Sequence, residues 1–364
     1  MKIKTITCHD VYNHGASLQT FALQQHLEDL GHQVEIIDYK PEYLSNHFSF
    51  TVVSNPKFDK PVIKYLYLLA KLPLRLCALP RKKTFDKFKE KYLKITSIRY
   101  TNNEELKNNL PIADAYICGS DQIWNSFFKN GNDPAFYLDF VPDDKRKISY
   151  APSFATESID ENFEPFVKEK IKRLNAISVR ETSGLNILRK MGIDNAVQVM
   201  DPVFLLPANY WKRNFAEPVN ENYVFVYDFD SNPLIERIVK KMAAKYNYKI
   251  ISVNKNIKYA DKNYWKKGPG FFISLIYNAK FVISNSFHAT AFSLIFEKPF
   301  CVISRTEAIN TRMKDLLMLF DMQNRIINNE TDSEHLQNID YSKINLRIEK
   351  ESEKSKLFLT NALY

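Results

Sequence analysis

Glycine is scarce, with eight in 364 residues. That leaves no Gly-rich phosphate loop, no Gly-x-Gly-x-x-Gly fingerprint and no Gly-x-Ser-x-Gly nucleophile elbow. Cysteine is also sparse. Cys8, Cys77, Cys118 and Cys301 lie far apart, and neither a disulfide framework nor a Cys-x-x-Cys metal spacing can be drawn through them. A His-Glu-x-x-His pair and clustered carboxylates are missing too, so a catalytic metal is not expected and no cofactor is called for. The chain opens on a strand-like Ile3-Lys4-Thr5-Ile6-Thr7 with no apolar export segment, from which we expect a reducing, cytoplasmic location.

What is present is a chain 45% hydrophobic and 13% aromatic from end to end, which should fold throughout. Its length suits two domains of about 150 residues with a cleft between them. The net charge of +9 is concentrated: residues 57–94 hold twelve Lys/Arg against Asp59, Asp86 and Glu90, which accounts for the whole excess. No recognition motif accompanies that run, so nucleic acid is not an expected partner. On a helical wheel Lys57, Lys60, Lys64, Lys71 and Arg75 share one side, opposite Ile63, Leu66, Leu69 and Leu76. Such an element suits the anionic inner face of the cytoplasmic membrane as a peripheral docking surface, against the plainer reading of a solvated basic face packed on its own domain. Pro61 and Pro73 are expected to break it into two helical pieces.

The alternation of short apolar strands and helical stretches predicts an α/β fold of two facing Rossmann-like domains. Strands are expected at Ile3–Thr7, Gln33–Asp38, Ala115–Cys118, Lys147–Tyr150 and Ala176–Val179, with a helix over Ser17–Leu30. After the Pro-bearing stretch from Asp201 the pattern restarts at Tyr223–Tyr227, followed by strands near 249–253, 281–283 and 300–303. The expected divisions are 1–207, 208–331 and a helical tail over 332–364 that crosses back to the first domain.

Ligands of open parallel sheets bind beyond the carboxyl ends of the strands. Four loops qualify. His9 to Ser17 brings Asn13 and Gly15 to a helix start that can hold a phosphate or sugar hydroxyl, unless Asn13 or Ser17 is simply a cap. Gly119 to Asn125 sets Ser120, Asp121, Gln122 and Trp124 within one turn, a carboxylate, amide and indole mixture suited to sugars; the alternative makes Asp121 a cap and Trp124 core. Arg180-Glu181 offers a guanidinium fork for a carboxylate or phosphate, or an ion pair. Ser284 to Thr290 carries Asn285, Ser286 and His288 at a helix N-terminus, where His288 could serve as general acid or phosphate ligand.

Six blocks in order resemble the polysaccharide pyruvyl transferase family: Asn13-x-Gly15-Ala16-x-Leu18-Gln19; Gly119-Ser120-Asp121-Gln122-x-Trp124-Asn125; Ser149-Tyr150-Ala151-x-Ser153; Ser178-Val179-Arg180-Glu181; Asp201-Pro202-Val203-Phe204; and Ser286-Phe287-His288-Ala289-Thr290. The resemblance implies a GT-B-like glycosyltransferase architecture and transfer of pyruvate from phosphoenolpyruvate to a sugar, usually as a ketal bridging two hydroxyls; with the basic segment in view, the expected acceptor is a capsular or surface polysaccharide precursor carried as a lipid-linked oligosaccharide. It implies that Arg180 and His288 bind the donor with Asn285, Ser286 and Arg312, that His288, Arg180 and Asp121 carry the chemistry, and that Asn13, Gly15, Ser120, Asp121, Gln122 and Trp124 meet the acceptor. Relatives carry an arginine two residues before this histidine. Here Ser286 stands there, so the phosphate contacts are expected either to differ or to come from Arg305 or Arg312. A nucleotide-sugar glycosyltransferase and a non-catalytic glycan-binding paralogue are the alternatives.

Overall fold

The computed structural model describes residues 1–44, 48–53, 56–255, 257–305, 310–330 and 339–364. In chain order it runs β1 (Lys2–Ile6), α1 (His14–Asp29), β2 (Gln33–Tyr39), α2 (Pro61–Tyr92), β3 (Ile95–Tyr100), α3 (Asn103–Asn108), β4 (Ala115–Cys118), β5 (Arg146–Ser149), α4 (Glu164–Ile171), β6 (Ser178–Val179), α5 (Thr182–Lys190), β7 (Val197–Gln198) and α6 (Ala208–Phe215). A second series follows: β8 (Tyr223–Tyr227), α7 (Pro233–Tyr246), β9 (Lys249–Ser252), β10 (Lys262–Asn263), α8 (Pro269–Asn278), β11 (Phe281–Ser284), α9 (Phe287–Ile295), β12 (Phe300–Ile303), α10 (Thr311–Leu319), β13 (Ile326–Ile327) and α11 (Tyr341–Leu363).

The strands form two parallel sheets of the same winding, β3-β2-β1-β4-β5 and β10-β9-β8-β11-β12-β13. Main-chain bonding of Ser149 N to Ala176 O (3.0 Å) leads the first sheet on to the β6–β7 pair. Central strands are apolar on both faces because helices cover both faces; every residue of β8 (YVFVY) is buried. In each sheet the winding reverses beside the first strand, between β1 and β4 and between β8 and β11, and a crevice opens at such a reversal.

The two crevices face each other across a shared apolar core. Leu18 and Phe21 of α1 and Phe88 of α2 belong to one buried cluster with Trp211, Phe272 and Phe292. α11 spans the two halves. Tyr341 and Ile344 pack into that cluster, while Leu359 and Leu363 pack with Ile3, Leu23 and Val34 of the first sheet's layer. Ser355 Oγ near its end accepts from Met200 N at 2.8 Å. The first part of the predicted tail helix, residues 332–338, lies outside the described residues.

The basic segment corrects one expectation. α2 is a single helix of 32 residues, with Pro61 in its first turn, where no N–H is needed, and Pro73 and Pro80 inside. Both internal prolines are exposed, so water can bond the carbonyls they leave open. The orientation of the helix is informative. Val62, Tyr65, Leu66 and Leu69 each have at least 63% of their surface exposed, and Leu72 and Leu76 continue the stripe, while Arg75 on the opposite side is buried. The apolar stripe therefore points outward; on the other side Arg75 turns inward, while Lys57, Lys60 and Lys71 stay exposed. Among the described residues, no helix is long and apolar enough to cross a membrane.

Candidate active site

The predicted loops meet where the halves of the molecule touch. Asn13 caps α1, its Oδ1 accepting from Ala16 N at 3.2 Å. Gln19, one turn further on, accepts from Ser120 N at 3.2 Å and donates to Thr7 Oγ1 at 3.2 Å, tying the loop after β1 to the loop after β4. Gly119 has φ of +134°, and a β-carbon there would stand 1.9 Å from Tyr150 O, so only glycine permits this crossing. Asp121 follows in the left-handed region (φ 67°), a conformation that aspartate tolerates, and its carboxylate turns toward the second domain.

Asp201, just after β7, is the centre of the cluster. Arg180 Nη1 donates to its Oδ2 at 2.6 Å, His288 Nε2 stands 3.6 Å from the same oxygen, and Ser120 Oγ lies at 3.4 Å. Arg180 Nη2 is 3.6 Å from Asp121 Oδ1, and Arg312 Nη1, from α10, is 3.5 Å from that oxygen. Both guanidiniums lie over Phe287, at 4.4 and 5.8 Å from its centroid. With its amide oxygen facing the guanidinium, Gln122 accepts from Arg312 Nη2 at 2.7 Å. First-domain and second-domain residues thus form one buried charge network.

The electrostatics follow from that packing. Burial works to raise the Asp201 carboxyl, but His288 and Arg180 beside it hold it far below the usual carboxylate range. Burial pushes Glu181 upward against the pull of Arg180 and the hydrogen bonds from Ser153 and Ala155 N. Burial, with Arg180 alongside, pushes Arg312 down to about 10. Arg180 goes the other way, raised by Asp201, Asp121 and Glu181 in spite of burial. The network also holds buried donors with no hydrogen-bond partner: Arg180 Nε and Nη2, Arg312 Nε and His288 Nε2. Unpaired buried guanidinium N–H groups are costly, and an anion bearing several oxygens would satisfy them.

Of the predicted residues, Arg180, His288, Asp121, Arg312, Gln122 and Ser120 are brought together. Gly15 joins them through its backbone, which lies against the His288 ring. Asn285 and Ser286 are engaged locally: Asn285 Nδ2 donates to Asp228 Oδ1 at 2.7 Å, its Oδ1 accepts from Phe229 N, and Ser286 Oγ caps α9. Arg305 lies aside, stacked on Phe229 at 5.0 Å. Trp124 is a correction. It is fully buried, stacks on Tyr137 at 5.3 Å and donates from Nε1 to Phe136 O, so the indole is core and presents no face to a sugar. Asp201 was missing from the predicted set although the Asp201-Pro202 block was visible, because an Asp-Pro after so short a strand reads as a turn.

Two Rossmann-like domains with crevices face to face define the GT-B glycosyltransferase architecture, and solved structures agree. A Listeria monocytogenes protein assigned as a UDP-N-acetylglucosamine 2-epimerase is similar over 98% of this chain and 90% of its own, with a TM-score of 0.53 at 8% identity. Arabidopsis thaliana UGT89C1, solved with UDP-L-rhamnose, is similar over 100% and 98%, with a TM-score of 0.53 at 10% identity. These likenesses concern the fold. A comparison with curated proteins finds no match. The model of the polysaccharide pyruvyl transferase family matches residues 13–307, a span from the α1 cap to beyond Arg305, and the chain belongs to that family.

Proposed function

We propose that this chain transfers pyruvate from phosphoenolpyruvate to two hydroxyls of a sugar, with the donor held in the Arg180–Arg312–His288 cluster. The observation that carries the reading is the set of unpartnered donors on two buried arginines and a histidine at the domain junction. Phosphoenolpyruvate carries two anionic groups, a carboxylate and a phosphate, on the same enol carbon. In this reading Arg180 takes the carboxylate as a fork, and His288 with Arg312 takes the phosphate. The family membership supports the same reaction.

The chemistry balances as a substitution at the enol carbon. A proton from the solvent adds to the methylene carbon, making a methyl group and an oxocarbenium-like centre. One sugar hydroxyl adds there and gives up its proton to Asp121; the second hydroxyl then displaces inorganic phosphate, and its proton leaves with the phosphate or the solvent. The product is a cyclic ketal. Asp121 stands between the guanidiniums of Arg180 and Arg312, 3.6 and 3.5 Å from its Oδ1, which places its carboxylate beside the donor cluster as the proton acceptor in this reading, and His288 steadies the departing phosphate.

The acceptor in this reading is a lipid-linked precursor of a surface polysaccharide. The outward apolar stripe of α2, with exposed Lys57 and Lys60 before it and Lys83 and Lys87 beyond it, suits the anionic inner surface of the cytoplasmic membrane. Incubating the full chain with labelled phosphoenolpyruvate and lipid-linked galactose, glucose or mannose acceptors tests the reaction. Label transfer with phosphate release supports it, and neither event with any acceptor rejects it.

A further inference from the structure

A pocket of about 530 Å³ lies apart from the donor cluster, between the inward face of α2, the loop after β1 and the ends of β8 and β9. Such a volume suits a small ligand. Its cations are Lys71, Arg75, Arg81 and Lys255, and among the described residues no carboxylate lines it. Arg75 is only 8% exposed, and its Nη1 has no hydrogen-bond partner while Nη2 donates to Val52 O at 3.3 Å. Arg81 donates to Trp265 O at 2.7 Å and to Tyr12 O at 3.0 Å, so it joins the two domains through carbonyls. Lys255 lies 5.1 Å from the Trp265 ring and Lys71 lies 5.7 Å from the Tyr67 ring.

Concentrating positive charge without counter-charge costs free energy, and an anionic ligand recovers it. Four cations around one cavity exceed what a single carboxylate requires, and the aromatic rings beside them offer apolar faces to a sugar. The position is equally telling. Asn13 lines the pocket, and two residues later Gly15 touches His288; Phe229 also lines it and bonds to Asn285, three residues before His288.

We infer that this pocket binds the diphosphate of a diphosphate-linked sugar, through Lys71, Arg75, Arg81 and Lys255, and so presents the sugar to the donor cluster. Lipid and nucleotide carriers share that chemistry. The adjoining outer face of α2 favours a lipid carrier. The role as acceptor site rests on the pyruvyl-transfer reading, whereas binding of a diphosphate does not.

Calorimetric titration of the full chain with farnesyl diphosphate, UDP and inorganic pyrophosphate provides the test, with phosphoenolpyruvate titrated in parallel. Wild type should bind farnesyl diphosphate, and Lys71→Gln/Arg75→Gln should weaken it about tenfold or more while phosphoenolpyruvate binding is unchanged. Because Arg75 also bonds Val52 O, the exposed-site variant Lys71→Gln/Lys255→Gln is measured too and should show the same direction. Lys343→Gln/Lys350→Gln, both exposed on α11, controls for net charge. Tighter binding of UDP than of farnesyl diphosphate, lost in the same variants, supports the diphosphate site with a nucleotide carrier. The inference is overturned if none of the three probes binds wild type, or if both double variants bind them as wild type does. Diphosphate binding without phosphoenolpyruvate binding would instead sink the donor reading and leave this site standing.

Discussion

The His288 ring packs against the backbone of Gly15, so closely that a β-carbon on residue 15 would come within 2.0 Å of Nδ1. One residue is at the start of α1 and the other at the start of α9, so this contact sets the first domain's loop against the second domain's histidine. The Gly15→Ala variant must displace the imidazole or part the helices. Expected are a loss of about 1–3 kcal/mol in stability and a fall in transfer activity larger than that stability loss explains. Thermal unfolding and turnover measured on the same sample check it, and unchanged turnover would count against a role for His288.

Asp201 anchors both Arg180 and His288, and its removal takes away the carboxylate hydrogen-bonded to the buried Arg180 guanidinium, leaving it the longer contacts to Asp121 (3.6 Å) and Glu181 (3.7 Å). The Asp201→Ala chain should lose about 3–5 kcal/mol of stability by denaturant unfolding. The pH dependence has a definite sign. Because the folded carboxyl is held below its usual 3.8, its contribution is present above that value and fades as pH falls below it. Unfolding curves at pH 7 and pH 3 should therefore differ more for wild type than for Asp201→Asn. Equal differences would show that Asp201 is not held low.

Trp124 should behave as core. Trp124→Ala is expected to cost about 3–5 kcal/mol, whereas Trp124→Phe, which keeps a ring against Tyr137, should cost less and leave acceptor KM unchanged. A KM effect in the stable Phe variant would restore the indole to the acceptor site.

How much of this was legible depends on what burial leaves in a sequence. β8 and β12 fall at the boundaries that apolar patterning predicts, because their side chains are buried on both faces. β10 and β13, two residues each at or near the sheet edge, carry no such signal. Arg180, Asp121 and His288 were found because sheet topology places strand ends together. Asp201 follows a two-residue strand, and Trp124 is a sugar-binding residue type used as filler, a distinction that composition cannot make. The burial of Arg75, and the placing of Lys71 at the pocket beside it, depend on which side of α2 meets the second domain, and that is set by packing between elements distant in the chain.

The membrane reading turns on Leu66 and Leu69, exposed by 63% and 70%. Leu66→Gln/Leu69→Gln should abolish flotation with anionic liposomes while leaving the melting temperature within about 2 °C, since surface changes seldom alter stability by more than about 0.5 kcal/mol. Recovery of wild type in the soluble fraction, with or without anionic lipid, would contradict membrane docking.

The most direct test is stoichiometric: phosphate release from phosphoenolpyruvate and mass gain on a lipid-linked acceptor, measured together for wild type, Arg180→Ala and His288→Ala, each verified as folded. One phosphate per pyruvyl ketal in wild type, and loss of both in the two variants, is the predicted result. Folded variants that transfer pyruvate at the wild-type rate, or a wild type that releases nucleotide from a nucleotide sugar and no phosphate from phosphoenolpyruvate, would contradict it.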